Sequence, residues 1–422
     1  MRYPSLRALV IALLILSAGC QRQADRPADA PAGMTVTAGD GLALVSWIQD
    51  PNLTYWIFYG AGGSVTAAAP GVPIIRTAQS PRVVANLTNG TQYAFVMNAT
   101  NGDSPAGPST PVITATPRLA GANWTVGTPL GTAPPDLNGI AFNGSRFVAV
   151  GSAGSIFVGD YSYTNLSPPG VTAWTPVVSV WWASPPNGVV PNLSAVISSG
   201  ARFVALGTDG SILTSTDGST WTLAGTVPAG AASMNAIALG SVSGVAVYVV
   251  VGAGGAMFTS SDLVSWTPRA SNPVNTNDLF GIAFLNGTFV ATGANGTLLT
   301  SPDGSNWTPQ ASGAANALRG AAFGSIAATG ARYVAVGDAG TIVTSTDAGT
   351  WTPIAPPLVP NLRSVTFGSR FVAVGQGGAV AYSDDGINWS TSSAGSLDLN
   401  RVIFTPGVYV AVGAGGANTV AK

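Results

Sequence analysis

The sequence predicts an all-β protein with two folded parts, a small β-sandwich and then a seven-bladed β-propeller that a strand from its own N-terminal side closes. The first observation is composition: the 422 residues include 54 Gly and 30 Pro, and only 8% are charged. This composition is typical of strands and turns and argues against disorder. The second observation is a series of short strand patterns within residues 34–117. The third is one unit that recurs seven times within residues 119–422.

Residues 1–19 have the features of a secretory signal peptide. Arg2 and Arg7 give it a positively charged start. The apolar run from Ala8 to Leu16 is too short to cross a bilayer as a mature helix. We therefore expect this segment to direct export and to be removed.

The segment Leu16-Ser17-Ala18-Gly19-Cys20 resembles the lipobox of bacterial lipoproteins, although the Leu stands one position earlier than is usual. The resemblance implies that Cys20, the only cysteine, carries a lipid anchor that holds the protein in a membrane. Residues 20–33 then form a flexible tether. Because Gln21 rather than Asp follows the cysteine, we expect the cell envelope and in particular the outer membrane, facing the periplasm or the exterior. An ordinary signal peptide with an incidental cysteine is the alternative.

Residues 34–117 contain short strand patterns separated by turns, the spacing of a β-sandwich. The patterns lie at 42–47, 55–59, 87–97 and 112–116. Trp47, together with Leu87 and Tyr93, resembles the core tryptophan and the tyrosine corner of fibronectin type III domains. The resemblance implies a fibronectin type III-like domain, for which we expect a structural role.

Residues 119–422 repeat a unit of four apolar strand patterns joined by short turns. Four short strands in about 40 residues are typical of one propeller blade. In each repeat the second strand ends in a glycine, at Gly151, Gly207, Gly252, Gly293, Gly337, Gly375 and Gly413.

Tryptophans mark the ends of the repeats and give their number. The seventh repeat has none, whereas Trp124 stands alone before the first repeat. We expect the strand at Trp124 to complete the last blade, because an open array would expose free sheet edges; a solenoid is the alternative. The six repeat tryptophans are Trp174, Trp221, Trp266, Trp307, Trp351 and Trp389.

Five repeats carry a Ser-x-Asp-x-x-x-Trp turn, which resembles the Asp-box of sialidase-like (BNR) and photosystem-assembly propellers but is one residue shorter. The resemblance implies that the aspartate caps its own turn and that the tryptophan packs between blades, both structural roles. A calcium or substrate site is the alternative. The five aspartates are Asp217, Asp262, Asp303, Asp347 and Asp385.

A candidate ligand-binding rim follows from propeller geometry, which places the Gly-x-x-Gly hairpins and the starts of the innermost strands on one face. Arginine, aspartate and asparagine at this rim suit a carboxylate, a sugar or a peptide. Solvated loop residues are the alternative interpretation. The candidates are Asn138, Asp209, Arg319, Asp338, Arg363 and Arg401, with Asn295 and Gln376 beside them.

The first repeat departs from the others by an enlarged turn and a Pro-rich connection. It contains Trp181 and Trp182. Exposed aromatic side chains on a loop are favoured in interfaces, so this pair is a second candidate binding surface. Packing against the edge of the blade is the alternative.

Residue types that are missing exclude several kinds of chemistry. The chain has no His and no Glu, and its only Lys is Lys422. Ser–His–Asp and Cys–His catalysis are therefore excluded, as are metal sites built on nitrogen or sulfur ligands. The sialidase active site does not carry over either, because it needs Glu and an Arg-Ile-Pro motif. We expect no enzyme activity, no cofactor and no metal, and the net charge of −1 argues against nucleic acid.

These observations favour a non-catalytic envelope or cell-surface lipoprotein that binds a protein or glycan partner through the propeller face. One alternative is a scaffold or assembly factor for outer-membrane proteins, by analogy of fold alone. Another is a carbohydrate-active enzyme that uses Asp and Tyr. The ligand and the orientation in the envelope stay open at this stage.

Overall fold

The computed structural model describes residues 27, 29–102, 105–131, 133–162, 170–171, 173–177, 190–228, 230, 232–326, 330–355, 359–405 and 407–421. The predicted signal segment, Cys20, Trp181 and Trp182 lie outside these residues. The chain divides into two compact units, Met1–Arg118 and Leu119–Lys422. The described residues form strands and single 3-10 turns, so the all-β prediction is confirmed.

The first unit consists of two antiparallel sheets. One sheet has the strand order β1-β2-β5 and the other β4-β3-β6-β7. The strands are β1 (Thr35–Gly39), β2 (Leu42–Ser46), β3 (Thr54–Ala61), β4 (Ile74–Ala78), β5 (Arg82–Val84), β6 (Tyr93–Thr100) and β7 (Ile113–Ala115).

The core of this unit lies between its two sheets. Trp47, Tyr55, Phe95 and Met97 are buried there in one cluster, and the rings of Trp47 and Tyr55 lie 5.3 Å apart. The strand predicted from residue 87 begins only at Tyr93. The residues before it form a turn instead, in which the phenolic oxygen of Tyr93 accepts a hydrogen bond from Thr88 N–H (3.1 Å).

In the second unit, the described residues form seven antiparallel sheets, numbered here 1 to 7 in chain order. Alternating apolar residues and Gly-rich turns every few residues favour such short strands. Sheet 1 contains β9 (Leu137–Phe142), β10 (Arg146–Gly151), β11 (Ile156–Ser162), β12 (Gly170–Val171) and β13 (Thr175–Pro176). Sheet 2 contains β14 (Leu193–Ser198), β15 (Phe203–Gly207), β16 (Ser211–Ser215) and β17 (Thr222–Thr226). Sheet 3 contains β18 (Met234–Val242), β19 (Val245–Gly252), β20 (Met257–Ser260) and β21 (Thr267–Arg269).

The remaining sheets follow the same order of strands. Sheet 4 contains β22 (Leu279–Leu285), β23 (Thr288–Gly293), β24 (Leu298–Ser301) and β25 (Thr308–Pro309). Sheet 5 contains β26 (Leu318–Ile326), β27 (Gly330–Gly337), β28 (Ile342–Ser345) and β29 (Thr352–Ile354). Sheet 6 contains β30 (Leu362–Phe367), β31 (Phe371–Gly375), β32 (Ala379–Ser383) and β33 (Ser390–Ser393). Sheet 7 contains β34 (Leu399–Thr405), β35 (Val408–Gly413), β36 (Asn418–Ala421) and β8 (Trp124–Val126).

Sheet 7 joins the two ends of the unit. Its outermost strand β8 precedes sheet 1 in sequence and pairs antiparallel with β36, with Trp124 opposite Ala421 and Thr125 opposite Val420. This pairing agrees with the closing role predicted for Trp124. The first strands of neighbouring sheets pack side by side in chain order, and the first strand of sheet 7 packs on that of sheet 1. The sheets are therefore arranged in a ring.

The core of the ring is a series of apolar clusters between neighbouring sheets. In one of them Val148 of sheet 1 packs with Phe203, Leu213 and Trp221 of sheet 2. Trp221 is almost fully buried, and its Nε1 donates a hydrogen bond to Gly218 O (2.8 Å). Fully burying one large apolar side chain stabilises the fold by about 1.5–3 kcal/mol. The repeated tryptophan thus belongs to the packing between sheets.

In six of the seven sheets, the glycine that ends the second strand is required by a close approach of backbone; at Gly207 in sheet 2 an added Cβ would instead meet the side chain of Asp209. Gly337 is extended, with φ −165°, so a left-handed conformation is not the reason. A Cβ at Gly337 would overlap with Ala317 O, and one at Gly413 would overlap with Asp398 O. These carbonyls belong to the residue before the first strand of the same sheet. Glycine is the only residue without a Cβ, so only glycine leaves room for this carbonyl oxygen.

Candidate functional site

Each first strand of the ring begins with a β-bulge. In sheet 5, for example, Leu318 pairs with Gly337 and Gly320 with Val336, so Arg319 between them has no partner in the ladder. A bulge leaves one residue unpaired and redirects its side chain. The same irregularity occurs in all seven sheets. The bulged residues are Asn138, Ser194, Asn235, Phe280, Arg319, Arg363 and Asn400.

These seven bulged residues surround one pocket of about 310 Å³, which we call the central pocket. Each of the seven is partly buried. Asn192, Thr208 and Arg401 complete its lining. One residue from the start of every first strand therefore contributes to a single site, which lies at one end of the ring.

Three asparagines of the pocket fix neighbouring sheets to each other. The Nδ2 of Asn138 donates to Leu193 O (3.0 Å), and that of Asn235 donates to Leu279 O (2.8 Å). The Nδ2 of Asn400 donates to Leu137 O (2.8 Å), which links sheet 7 to sheet 1. Their amide nitrogens are thus engaged in holding the ring together.

Two of the three arginines in the pocket are neutralised by aspartates just outside its lining. Arg319 forms a bidentate pair with Asp338, with Nε–Oδ1 2.5 Å and Nη2–Oδ2 2.7 Å. Its guanidinium also lies 4.9 Å from the ring centre of Phe280. Arg363 donates to Asp398 Oδ2 (2.7 Å) and to Asn400 Oδ1 (2.5 Å). Such charge-assisted pairs hold both guanidinium groups in fixed orientations.

Arg401 is the third arginine, and no described residue pairs with its side chain. It is partly buried and lines the central pocket. Desolvation by the surrounding protein lowers the pKa of its guanidinium. An arginine keeps its proton under all ordinary conditions, so Arg401 brings an uncompensated positive charge into the pocket.

The structure distributes the predicted rim residues over three positions. Asn138, Arg319, Arg363 and Arg401 meet in the central pocket, and Asp338 touches it through its ion pair with Arg319. Asp209 is elsewhere: its carboxylate accepts hydrogen bonds from the N–H and the hydroxyl of Ser211, both at 2.9 Å. It caps its own turn as a local structural feature. Ligand binding by these residues stays a prediction.

The sequence interpretation missed one set of polar residues. An Asp or Asn directly before five of the first strands accepts a hydrogen bond from the middle N–H of the 3-10 turn in the preceding sheet. The signal was present as a repeated acidic or amide residue before the initial Leu of the unit. The pairs are Asp136 with Gly415, Asn192 with Ala153, Asp278 with Gly254, Asn361 with Ala339 and Asp398 with Gly377, at 2.7–2.9 Å.

The five Asp-box aspartates lie at the opposite end of the strands from the central pocket and cap their own turns. The Oδ1 of Asp217 accepts hydrogen bonds from Thr220 N–H (2.7 Å), Ser219 N–H (2.8 Å) and the Ser215 hydroxyl (2.9 Å). The Thr220 backbone N–H contributes most to lowering the pKa of Asp217 to about 2, against an opposing effect of desolvation. The pKa is likewise about 2 in Asp262, Asp303 and Asp385, and it is lowered in Asp347.

The lowered pKa of the Asp-box predicts how folding stability depends on pH. A carboxylate whose pKa is lower in the folded state stabilises the fold above its unfolded pKa, and this contribution is lost as the pH falls towards the folded pKa. We expect the free energy of unfolding to decrease between about pH 4 and pH 2. Asp217→Asn removes the titrating carboxylate and should weaken this dependence, while it should cost no more than about 1 kcal/mol at pH 7 because asparagine caps nearly as well as aspartate.

Urea titrations at pH 7, 4 and 3 measure both effects. Asp29→Asn, at an exposed aspartate, is the control and should behave as the unmodified protein. An Asp217→Asn variant with an unchanged pH dependence would contradict a capping role for this carboxylate.

Within the described part of the chain, no helix has both the length and the apolar character of a membrane span. Within the same residues, acidic, histidine and cysteine side chains do not gather in groups of three or more that suit a metal ion.

The comparisons with known proteins bear on the second unit. The family model of the DUF6242 beta propeller domain matches residues 226–353. No curated protein matches the chain.

Three solved structures similar to this chain are propeller proteins. YCF48 from Cyanidioschyzon merolae is 19% identical with a TM-score of 0.51, covering 71% of this chain and 98% of its own. YCF48 bound to D1 peptide is 17% identical with a TM-score of 0.54, covering 70% and 94%. The WD40 beta propeller domain of Doa1 is 9% identical with a TM-score of 0.54, covering 71% and 97%. At these identities the likeness concerns the fold, and the prediction of a β-propeller is confirmed.

Proposed function

We propose that this chain is a non-catalytic binding protein whose propeller takes a protein partner at the central pocket. The observation that carries the proposal is the convergence of seven redirected side chains, one from each sheet, on a single polar pocket. Pockets lined by a few convergent polar groups at one end of a rigid scaffold are typical binding sites. Hydrogen bonds between sheets account for the three asparagines, but the packing of the ring does not require arginine at Arg319 and Arg363.

A solved neighbour supports a protein partner over other classes. YCF48, which shares the propeller fold with this chain, was solved bound to a D1 peptide. A propeller of this fold can therefore take a peptide as its partner. This observation favours a protein partner, whereas no comparable observation supports a glycan.

The finer architecture also belongs to this proposal. The seven sheets are the blades of one complete propeller, which the pairing of β8 with β36 closes. The first unit is a fibronectin type III-like domain, supported by its two-sheet order and by the Tyr93 hydroxyl bonded to the backbone five residues upstream.

Filling the pocket tests the proposed function. Ser194→Trp places a large ring in the central pocket without changing its charge, and Thr208→Trp does so from the neighbouring loop. We expect both variants to lose at least 10-fold in affinity for peptides selected from a random peptide display library by the protein lacking residues 1–20. Thr222→Trp, exposed in sheet 2 at the other end of its strands, is the matched control and should bind normally.

Two results would contradict the proposed function. One is selected peptides that bind the two filled variants as well as the unmodified protein, provided that circular dichroism shows all three folded. The other is a glycan array on which the protein binds sugars while no peptide is selected. Hydrolysis of generic glycosides by the protein would contradict its non-catalytic part.

We propose that a lipid on Cys20 anchors the protein in the outer membrane of the cell envelope. The protein then faces either the periplasm or the exterior. The support is the resemblance of residues 16–20 to a lipobox. Radiolabelled palmitate should be incorporated into the full chain expressed in a Gram-negative host and not into Cys20→Ala. Labelling of both proteins, or of neither, would contradict the anchor.

A further inference from the structure

The position of Arg401 breaks the repeat symmetry of the ring. Arg401 is the first residue after the bulge of its strand. In each other sheet, the residue at the same position is the first one after the bulge that pairs with the second strand. In the six other sheets these are small and buried: Gly139, Ala195, Ala236, Gly281, Gly320 and Ser364.

Small residues are favoured at this position because the next sheet lies close. A Cβ at Gly139 would lie 2.9 Å from Val196 N, and one at Gly281 would lie 2.5 Å from Arg319 O. An arginine in such a place departs from the packing that the other sheets share. The repeat supplies no structural reason for a long cationic side chain here.

The charge of Arg401 also lacks a structural explanation. Burying an ionised group without a partner costs free energy, and proteins pair such groups with a counter-charge. Arg319 and Arg363 follow this rule through Asp338 and Asp398. Arg401 has no hydrogen bond or ion pair within the described residues, and none of the ten residues that line the pocket is acidic.

We propose that Arg401 binds a carboxylate group of the partner inside the central pocket. This inference rests on the proposed function and names the chemical group that the pocket recognises. A guanidinium matches a carboxylate in planar, bidentate geometry. The pocket has one uncompensated positive charge, which a single carboxylate neutralises, whereas a phosphate dianion would face Asp338 and Asp398 with excess negative charge.

The carboxylate comes from one of two sources, the C-terminus of a polypeptide or the side chain of an Asp or Glu. Octapeptide libraries of three kinds separate them: neutral peptides with a free C-terminus, amidated peptides with one internal Asp or Glu, and amidated peptides without acidic residues. The probes are tested with the protein lacking residues 1–20 and with three variants. Arg401→Ser installs the residue found at the equivalent Ser364, Arg401→Lys keeps the charge, and Arg202→Gln removes an exposed arginine at the other end of the strands.

We expect peptides of one carboxylate-bearing kind to bind the unmodified protein at least 10-fold more tightly than fully neutral peptides do. Arg401→Ser should abolish this difference, Arg401→Lys should keep part of it, and Arg202→Gln should leave it unchanged. Equal binding of carboxylate-bearing and neutral peptides would overturn the inference and leave the proposed function standing. Failure of all three libraries to bind would contradict both.

Thermal unfolding gives a second measurement that needs no peptide. Because the unpaired guanidinium destabilises the free protein, the Tm of Arg401→Ser should exceed that of the unmodified protein by about 2–4 °C. Acetate should raise the Tm of the unmodified protein at constant ionic strength and leave Arg401→Ser unchanged. A lower Tm in Arg401→Ser, or stabilisation by inorganic phosphate and not by acetate, would overturn the inference.

Discussion

Gly337→Ala should destabilise the propeller by about 3 kcal/mol or more, although it adds a single methyl group. The added Cβ would occupy the position of Ala317 O, so the backbone of β27 or the residue before β26 has to move. Insertion of atoms into a close-packed region costs about 1–3 kcal/mol when side chains can adjust. A fixed backbone carbonyl adjusts less easily. Equilibrium unfolding in guanidinium chloride measures the loss.

Gly320→Ala in the same sheet is the matched control. Its Cβ would have no neighbour nearer than 3.6 Å, and the equivalent positions in sheets 2 and 3 already carry Ala195 and Ala236. We expect a change below about 1 kcal/mol, or a slight gain because alanine restricts the unfolded chain. Similar losses in the two variants would show that the close approach at Gly337 is not what selects glycine.

Thr125→Pro should weaken the closure of the ring and lower the free energy of unfolding by about 1–3 kcal/mol, because it removes a hydrogen bond of the ladder. Thr125 lies opposite Val420 in the pairing of β8 with β36. Gly127 N–H donates to Asn418 O (2.8 Å). Hydrogen-bonded pairs alternate along an antiparallel ladder, so Thr125 and Val420 form the next such pair. Proline removes this donor from a strand of three residues.

Limited proteolysis and urea unfolding measure the effect of the proline. Val126→Thr changes an exposed side chain, 57% accessible, of the same strand, and it should unfold as the unmodified protein does. If Thr125→Pro and Val126→Thr are equally stable, β8 does not contribute to holding the ring closed.

The repeats made the propeller predictable because each sheet uses the same local pattern. Alternating apolar residues set the strands, Gly337 and its equivalents end the second strand, and Trp221 and its equivalents fill the space between sheets. The isolated Trp124 was sufficient to predict a strand that returns to the last sheet. Each of these inferences depends on the repeat or on a departure from it, which a single sequence displays directly.

The central pocket was predictable only in part. Arg319, Arg363 and Arg401 were recognised as rim candidates from their place in the repeat, but their chemical states depend on partners that are not adjacent in sequence. Asp338 lies 19 residues from Arg319, and Asp398 lies 35 residues from Arg363. Arg401 has no ion pair within the described residues because these two aspartates pair with Arg319 and Arg363 instead. The bulges that redirect the seven side chains leave no composition signal of their own.

The closing strand β8 also forms its pairing late in biosynthesis. Thr419, whose hydroxyl bonds to Thr125 O, is translated 294 residues after it. At about 5–20 residues per second, β8 waits roughly 15–60 s for its partner. During this interval it is an unpaired apolar segment beside a growing row of sheets, and unpaired strand edges are prone to aggregation. The edge of β8 therefore stays open in the nascent chain until β36 emerges.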